Sequence, residues 1–219
     1  MPKTVLFVGN ESRLEAQVNQ QFSTLGYSVY ALLNREQELN SETAIAEAVQ
    51  QVLSQAGQID VFIWGGLYPS TIQFGELTLP EYQAYMRKAV DSAFYFSKAC
   101  IKWMEKKRFG RMVFLTSVAA TLGEADFLYT IASGCLNTLA KSIAREEARR
   151  GITANAIAIG RIEGWETTDK EITNRFYDHY YPFRENFTFA QLAQAMLHLI
   201  TDDTNTINGQ IIKLDGGTL

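Results

Sequence analysis

Short, continuous apolar runs alternate along the chain with stretches whose apolar residues recur every three or four positions. TVLFV (4–8) is apolar throughout and rich in β-branched residues, the pattern of a strand buried on both faces. Leu14, Val18, Phe22 and Leu25 then follow at helical spacing until Gly26 stops them. SVYALL (28–33) predicts a second strand, and Ile45, Val49 and Val52 mark one face of a helix that ends at Gly57. IDVFIW (59–64), RMVFLTS (111–117), ITANAIAI (152–159) and QIIKL (210–214) predict four more strands. Between them lie a long helix over 80–107, with Tyr82, Tyr85, Met86, Ala89, Ala93 and Phe96 as its buried stripe, and another over 127–150. The second of these turns Leu128, Ala132, Cys135, Leu139 and Ile143 inward, and FAQLAQAMLHLI predicts a last helix.

Strands separated by helices pair in parallel through right-handed crossovers, with helices on both faces. The expected fold class is therefore α/β, a single-domain doubly wound, Rossmann-like sheet of about six strands over 1–219, whose ligand site opens at the carboxyl ends of the strands. At 219 residues the chain is long enough for one substantial core, and it has no internal repeat or linker. The irregular stretch 161–188, with Trp165, Phe176, Tyr177, Tyr180, Tyr181 and Phe183, suggests an apolar or aromatic ligand, or else an interface.

A net charge of −4 gives no electrostatic reason to expect nucleic acid. The basic run KKRFGR (106–111) reads as a helix C-terminus, where cations offset the dipole. Cys100 and Cys135 lack metal-ligand spacing and fit reduced core residues of a cytoplasmic protein. No run approaches a membrane span, and MPKTVLFVGN is too short an apolar start for a signal peptide. His179 and His198 have no second ligand at metal spacing, so no metal site is expected.

Four phrases in order resemble the short-chain dehydrogenase/reductase family. GQIDVFIWGGLY stands where that family has a strand ending in Asn-Asn-Ala-Gly, and GRMVFLTSVAA is similar to its serine-bearing strand. YTIASGCLNTLAKSIAREEARRGITANAIAIG looks like its tyrosine helix and next strand, and INGQIIKLDGG like its C-terminal signature. The resemblance implies hydride transfer with NAD(P)(H), with Ser117 orienting a substrate oxygen and Tyr129 acting as acid or base. It also implies a lysine four residues after the tyrosine and an asparagine on the preceding long helix. Those positions hold Ser133 and Ala89.

The losses have chemical consequences. A tyrosine with an ordinary pKa of roughly 10 is about one part in a thousand ionised at neutral pH, and a serine does little to change that. Tyr129 is thus a poor base for alcohol oxidation, whereas its neutral phenol already holds the proton that carbonyl reduction needs. Lys141 cannot substitute, since it lies about 18 Å further along the helix. In the first turn Gly9 is kept, but Arg13 and Glu15 replace two glycines that would leave backbone bare for pyrophosphate. Ser12 and Arg13 remain candidates for a phosphate; the competing reading is a solvated capping turn. Asn34 and Arg35 after the second strand suit a 2′-phosphate or are simply surface residues, while Leu33 offers the ribose nothing. Gly65 completes the candidate cofactor set; Trp64 beside it is either a core aromatic or a plug in the cleft. Ile159 and Gly164 replace further family residues, and the short connection after the second strand implies that a helix and edge strand are missing.

Two functions follow. One is a scaffold that has lost hydride transfer, carries no dinucleotide or binds NADP(H) weakly, and serves as a binding or partner subunit. The other is an active NADP(H)-dependent carbonyl reductase. Both admit a homo-oligomer or a heteromer with a related subunit, and an apolar small molecule as ligand. The resemblance implies pairing through the long helices 80–107 and 127–150, where Ala140 and Ala144 would suit a close contact, and through the C-terminal strand, and it makes 161–188 the substrate lid.

Overall fold

The computed structural model describes residues 2–33, 39, 41–70, 72–123, 126–163, 187–201 and 206–217. Asn34, Arg35, Gly164, His179 and the aromatic stretch from 164 to 186 lie outside them. Strand β1 (Lys3–Gly9) is followed by α1 (Ser12–Thr24), β2 (Tyr27–Leu33), α2 (Glu42–Ala56) and β3 (Val61–Gly65). Next come α3 (Leu79–Met86), a π turn (Arg87–Asp91), α4 (Ser92–Lys107) and β4 (Gly110–Ser117). The short α5 (Ala119–Leu122), α6 (Phe127–Glu147), β5 (Ile152–Ile159), α7 (Phe189–Ile200) and β6 (Ile211–Leu214) complete the order.

The strands form one six-stranded sheet, ordered β2-β1-β3-β4-β5-β6, with every adjacent pair parallel. Among the described residues β2 is an edge, in keeping with the missing edge strand. Side-chain alternation along the strands divides the core in two. Leu6, Phe62, Trp64, Phe114 and Ala154 face α2, α4 and α6, while Val5, Phe7, Ile63, Leu115 and Ile157 face α1 and α7. Helices therefore cover both faces, as continuous apolar strands demand.

Three readings change. The helix over 80–107 is interrupted by the π turn, where the Ser92 N–H bonds Arg87 O, five residues back. Ser92 Oγ also lies 3.1 Å from that carbonyl and 2.7 Å from Leu39 O. Within α6, Cys135 and Leu139 are half-exposed, and Ser133, Leu136 and Asn137 are buried in their place. Ala140 and Ala144 are buried inside the subunit, against β5 and the segment carrying Gly209, so they cannot form a contact with a second chain. The basic run does end a helix: Lys106 and Lys107 lie in the last turn of α4, and Arg108 caps it in the left-handed region at φ 53°. Arg111, by contrast, is buried in β4.

Candidate functional site

The chain leaves β1 for β2 on one side and returns to β3 on the other, and a crevice opens at such a switch point. Gly9 and Gly65 end these two strands side by side. Packing accounts for both. A Cβ on Gly9 would sit 2.7 Å from the Phe7 ring, and one on Gly65 would sit 3.3 Å from Leu115 Cδ1. Gly66 has no room at all, because the Trp64 indole lies against it. Asn10, which the sequence reading passed over, is buried and donates from Nδ2 to Gly66 O at 2.7 Å, joining the two strand ends. Its Oδ1 is buried without a hydrogen bond. A polar residue after a glycine gives no sequence signal to separate this role from an ordinary loop position.

In the turn after Gly9, Ser12 is the first residue of α1 and is exposed. Glu11 rather than Ser12 caps the helix, accepting the Arg13 N–H at 3.1 Å. The same carboxylate grips the Arg13 side chain through Nε at 2.9 Å and Nη2 at 3.0 Å. The Arg13 guanidinium also lies 5.0 Å over the Phe189 ring, and its hydrogen bond to Glu11 raises its pKa further. The helix end and its nearest cation thus already share an internal anion.

Ser117 ends β4, where its buried Oγ accepts the Ala119 N–H at 3.0 Å. Tyr129 lies in the first turn of α6, half-buried against the core under α4 and α6. Asp126 caps that turn. One carboxylate oxygen accepts the Tyr129 N–H at 3.0 Å and the other the Ser70 N–H at 2.6 Å. Burial raises the Asp126 pKa, against the pull of these two donors. Tyr85 donates its hydroxyl to Tyr68 O at 2.5 Å, with the two rings 4.6 Å apart. Burial pushes the Tyr85 phenol far upward, and the neighbouring Asp126, Tyr129 and Tyr68 add to the push. Sequence alone offered one usable signal here: Asp126 precedes a helix, where an aspartate caps well.

Ser133 is wholly buried and its Oγ has no hydrogen bond. Ala89 is wholly buried within the π turn. Trp64 settles as a core aromatic: it is fully buried, 6.0 Å from Phe96, with its Nε1 unbonded. His198 is exposed on α7, and no group of three or more metal-binding side chains occurs among the described residues. Chemically, Ser117 and Tyr129 can each donate a proton in a hydrogen bond. The carboxyl of Asp126 is bonded to the backbone of the Tyr129 turn, not to its phenol.

A doubly wound sheet with a serine ending β4 and a tyrosine opening the next long helix is the arrangement that the sequence resemblance implied. A family model described as enoyl-(acyl carrier protein) reductase matches residues 3–218. The chain belongs to the short-chain dehydrogenase/reductase family. It is 28% identical over 183 residues to the 3-oxoacyl-(acyl-carrier-protein) reductase FabG of Buchnera aphidicola subsp. Schizaphis graminum, covering 82% of this chain and 75% of that protein. It is 26% identical over 189 residues to the reductase MabA of Mycobacterium avium, covering 85% and 74%. The solved structure of ElxO with NADP bound matches the fold with a TM-score of 0.85 at 21% identity, over 100% of this chain and 99% of that one.

Proposed function

We propose that this chain is a non-catalytic member of its family, a scaffold that binds a small molecule or a partner subunit rather than transferring hydride. The Glu11–Arg13 pair carries this reading. A pyrophosphate at the α1 N-terminus needs backbone donors and a cation, and here Glu11 takes both the Arg13 N–H and the Arg13 guanidinium. A second anion beside that carboxylate is repelled, so the residues of this turn do not fit the dinucleotide. Ser133 supports the same conclusion, because a wholly buried neutral hydroxyl offers a ribose no contact and a phenol no charge. Cofactor binding is accordingly absent or weak. Two cysteines without a disulfide support a cytoplasmic setting, and assembly is as a homo-oligomer or with a related subunit.

A second reading, a divergent NADP(H)-dependent carbonyl reductase, is favoured by Ser117 and Tyr129 at the carboxyl ends of the sheet and by the NADP in ElxO. Calorimetric titration with NADPH and NADH separates the two. No saturable binding up to about 1 mM is expected, whereas a Kd of about 1 μM for NADPH would restore the enzyme. Co-purification of tagged protein tests assembly: recovery of this chain alone, as a monomer, would overturn the subunit role.

A further inference from the structure

A cleft of about 560 Å³ opens between Tyr68–Ser70, helix α3 and the start of α6, within the span of about 300–1,000 Å³ typical of small-molecule sites. Neither Ser117 nor Tyr129 lines it. We propose that it binds an aromatic carboxylate. This deepens the scaffold reading by naming a ligand class, and rests on it only in treating binding as the end of the site's work.

The floor is apolar and fixed in shape. The Tyr68 ring packs on Tyr85, whose hydroxyl is spent on Tyr68 O. Leu128 is buried beneath and Ile72 half-buried at the side. A planar ring gains stacking area there with little ordering cost, since the tyrosine pair is already in place. Asp126 anchors the Ser70 N–H from behind, so the wall is tied to helix α6.

The rim is predominantly cationic, with Arg87 and Lys88 against the single carboxylate of Glu81. Lys88 lies 4.8 Å over the Tyr68 ring, and the Arg87 side chain beside it has no ion pair, hydrogen bond or ring contact among the described residues. Both stand at the head of the π turn, a feature that recurs at functional sites. The carboxylate lining the cleft, Glu81, is already committed to the helix cap, accepting Thr78 N–H at 2.9 Å and Thr78 Oγ1–H at 2.6 Å. The planar Arg87 fork suits a carboxylate bidentately, with Lys88 as a point charge over the ring below.

The test uses the fluorescence anisotropy of 2-naphthoate with the intact protein. Saturable binding is expected, weakened at least about ten-fold in the Arg87→Gln/Lys88→Gln variant and in the neutral probe 2-naphthamide. Both substitutions are at solvent-accessible positions, so an unchanged melting temperature will confirm that the variant is folded. Equal binding of the amide, an unaffected double variant, or no saturation by about 5 mM would each overturn the proposal. Tighter binding of 2-naphthyl phosphate would overturn the carboxylate in favour of a phosphate head. NADPH titration of the same sample keeps the two readings apart. Dinucleotide binding alongside charge-dependent naphthoate binding sinks the scaffold reading and leaves this site standing.

Discussion

At the scale of the residue, position 133 decides most. A lysine there would place four methylenes and an ammonium where the serine is fully enclosed. Ser133→Lys is expected to destabilise the fold by about 2–4 kcal/mol, through overpacking and a buried charge, read by denaturant titration. Full stability together with new NADPH-dependent carbonyl reduction would show the old site intact. Two glycines make a contrasting pair. Gly66→Ala must collide with the Trp64 indole and is expected to cost about 1–3 kcal/mol. Gly134, in the middle of α6, has nothing within 4 Å of a Cβ, so Gly134→Ala is expected to gain about 0.5–1 kcal/mol in the same measurement. The chemical departures at 64, 89 and 133 were legible in sequence. The burial of Ala89 was legible too, from its place in the apolar stripe; that of Ser133 was not, because helical periodicity put Cys135 and Leu139 inward instead of Ser133 and Leu136.

Among the elements, α6 shows how a cap reaches beyond its own helix. Asp126 closes the first turn and also holds Ser70 from the β3 side. Asp126→Ala is expected to cost about 1–2 kcal/mol and to raise amide exchange at both Ser70 and Tyr129. The sign of its pH effect follows from the raised pKa. The folded state binds this proton more tightly than the unfolded chain, so the contribution to stability grows as pH falls through the folded value towards the ordinary aspartate value of about 3.9. Thermal melts should therefore show a smaller destabilising slope on acidification in this window for the wild type than for Asp126→Asn. A wild type that loses stability there as steeply as the variant would contradict the shift. The π turn had no sequence signal, since one extra residue in a helical turn requires neither proline nor glycine and the apolar stripe from Tyr85 to Phe96 fits a plain helix equally well.

For the whole molecule, the C-terminal segment is pinned by two asparagines in addition to the packing of Ile207, Ile211, Ile212 and Leu214 on the two cores. Asn155, wholly buried in β5, donates to Ile207 O at 2.8 Å and accepts the Gln210 N–H at 3.0 Å. Asn208 answers by accepting the Ala154 N–H at 3.0 Å and donating to Ala144 O at 3.0 Å. Asn155→Ala removes the partner of the part-buried Ile207 carbonyl and Gln210 N–H, and is expected to cost about 1–3 kcal/mol and to release the β6 segment to proteases before global unfolding. The alternation of strands and helices with right-handed crossovers makes the doubly wound class legible in sequence, while the strand order is settled by the tertiary structure.

Sequence by itself determined the six strands, their parallel pairing, the family and the list of missing functional groups, because local periodicity and residue identity carry that information. Only the tertiary structure decided what filled the vacated positions. It placed Glu11 on Arg13, closed the core around Ser133, and brought Tyr68, Tyr85, Arg87 and Leu128 to one cleft. Those contacts join residues distant along the chain or turn on side-chain direction, and spacing along one strand or helix does not specify either.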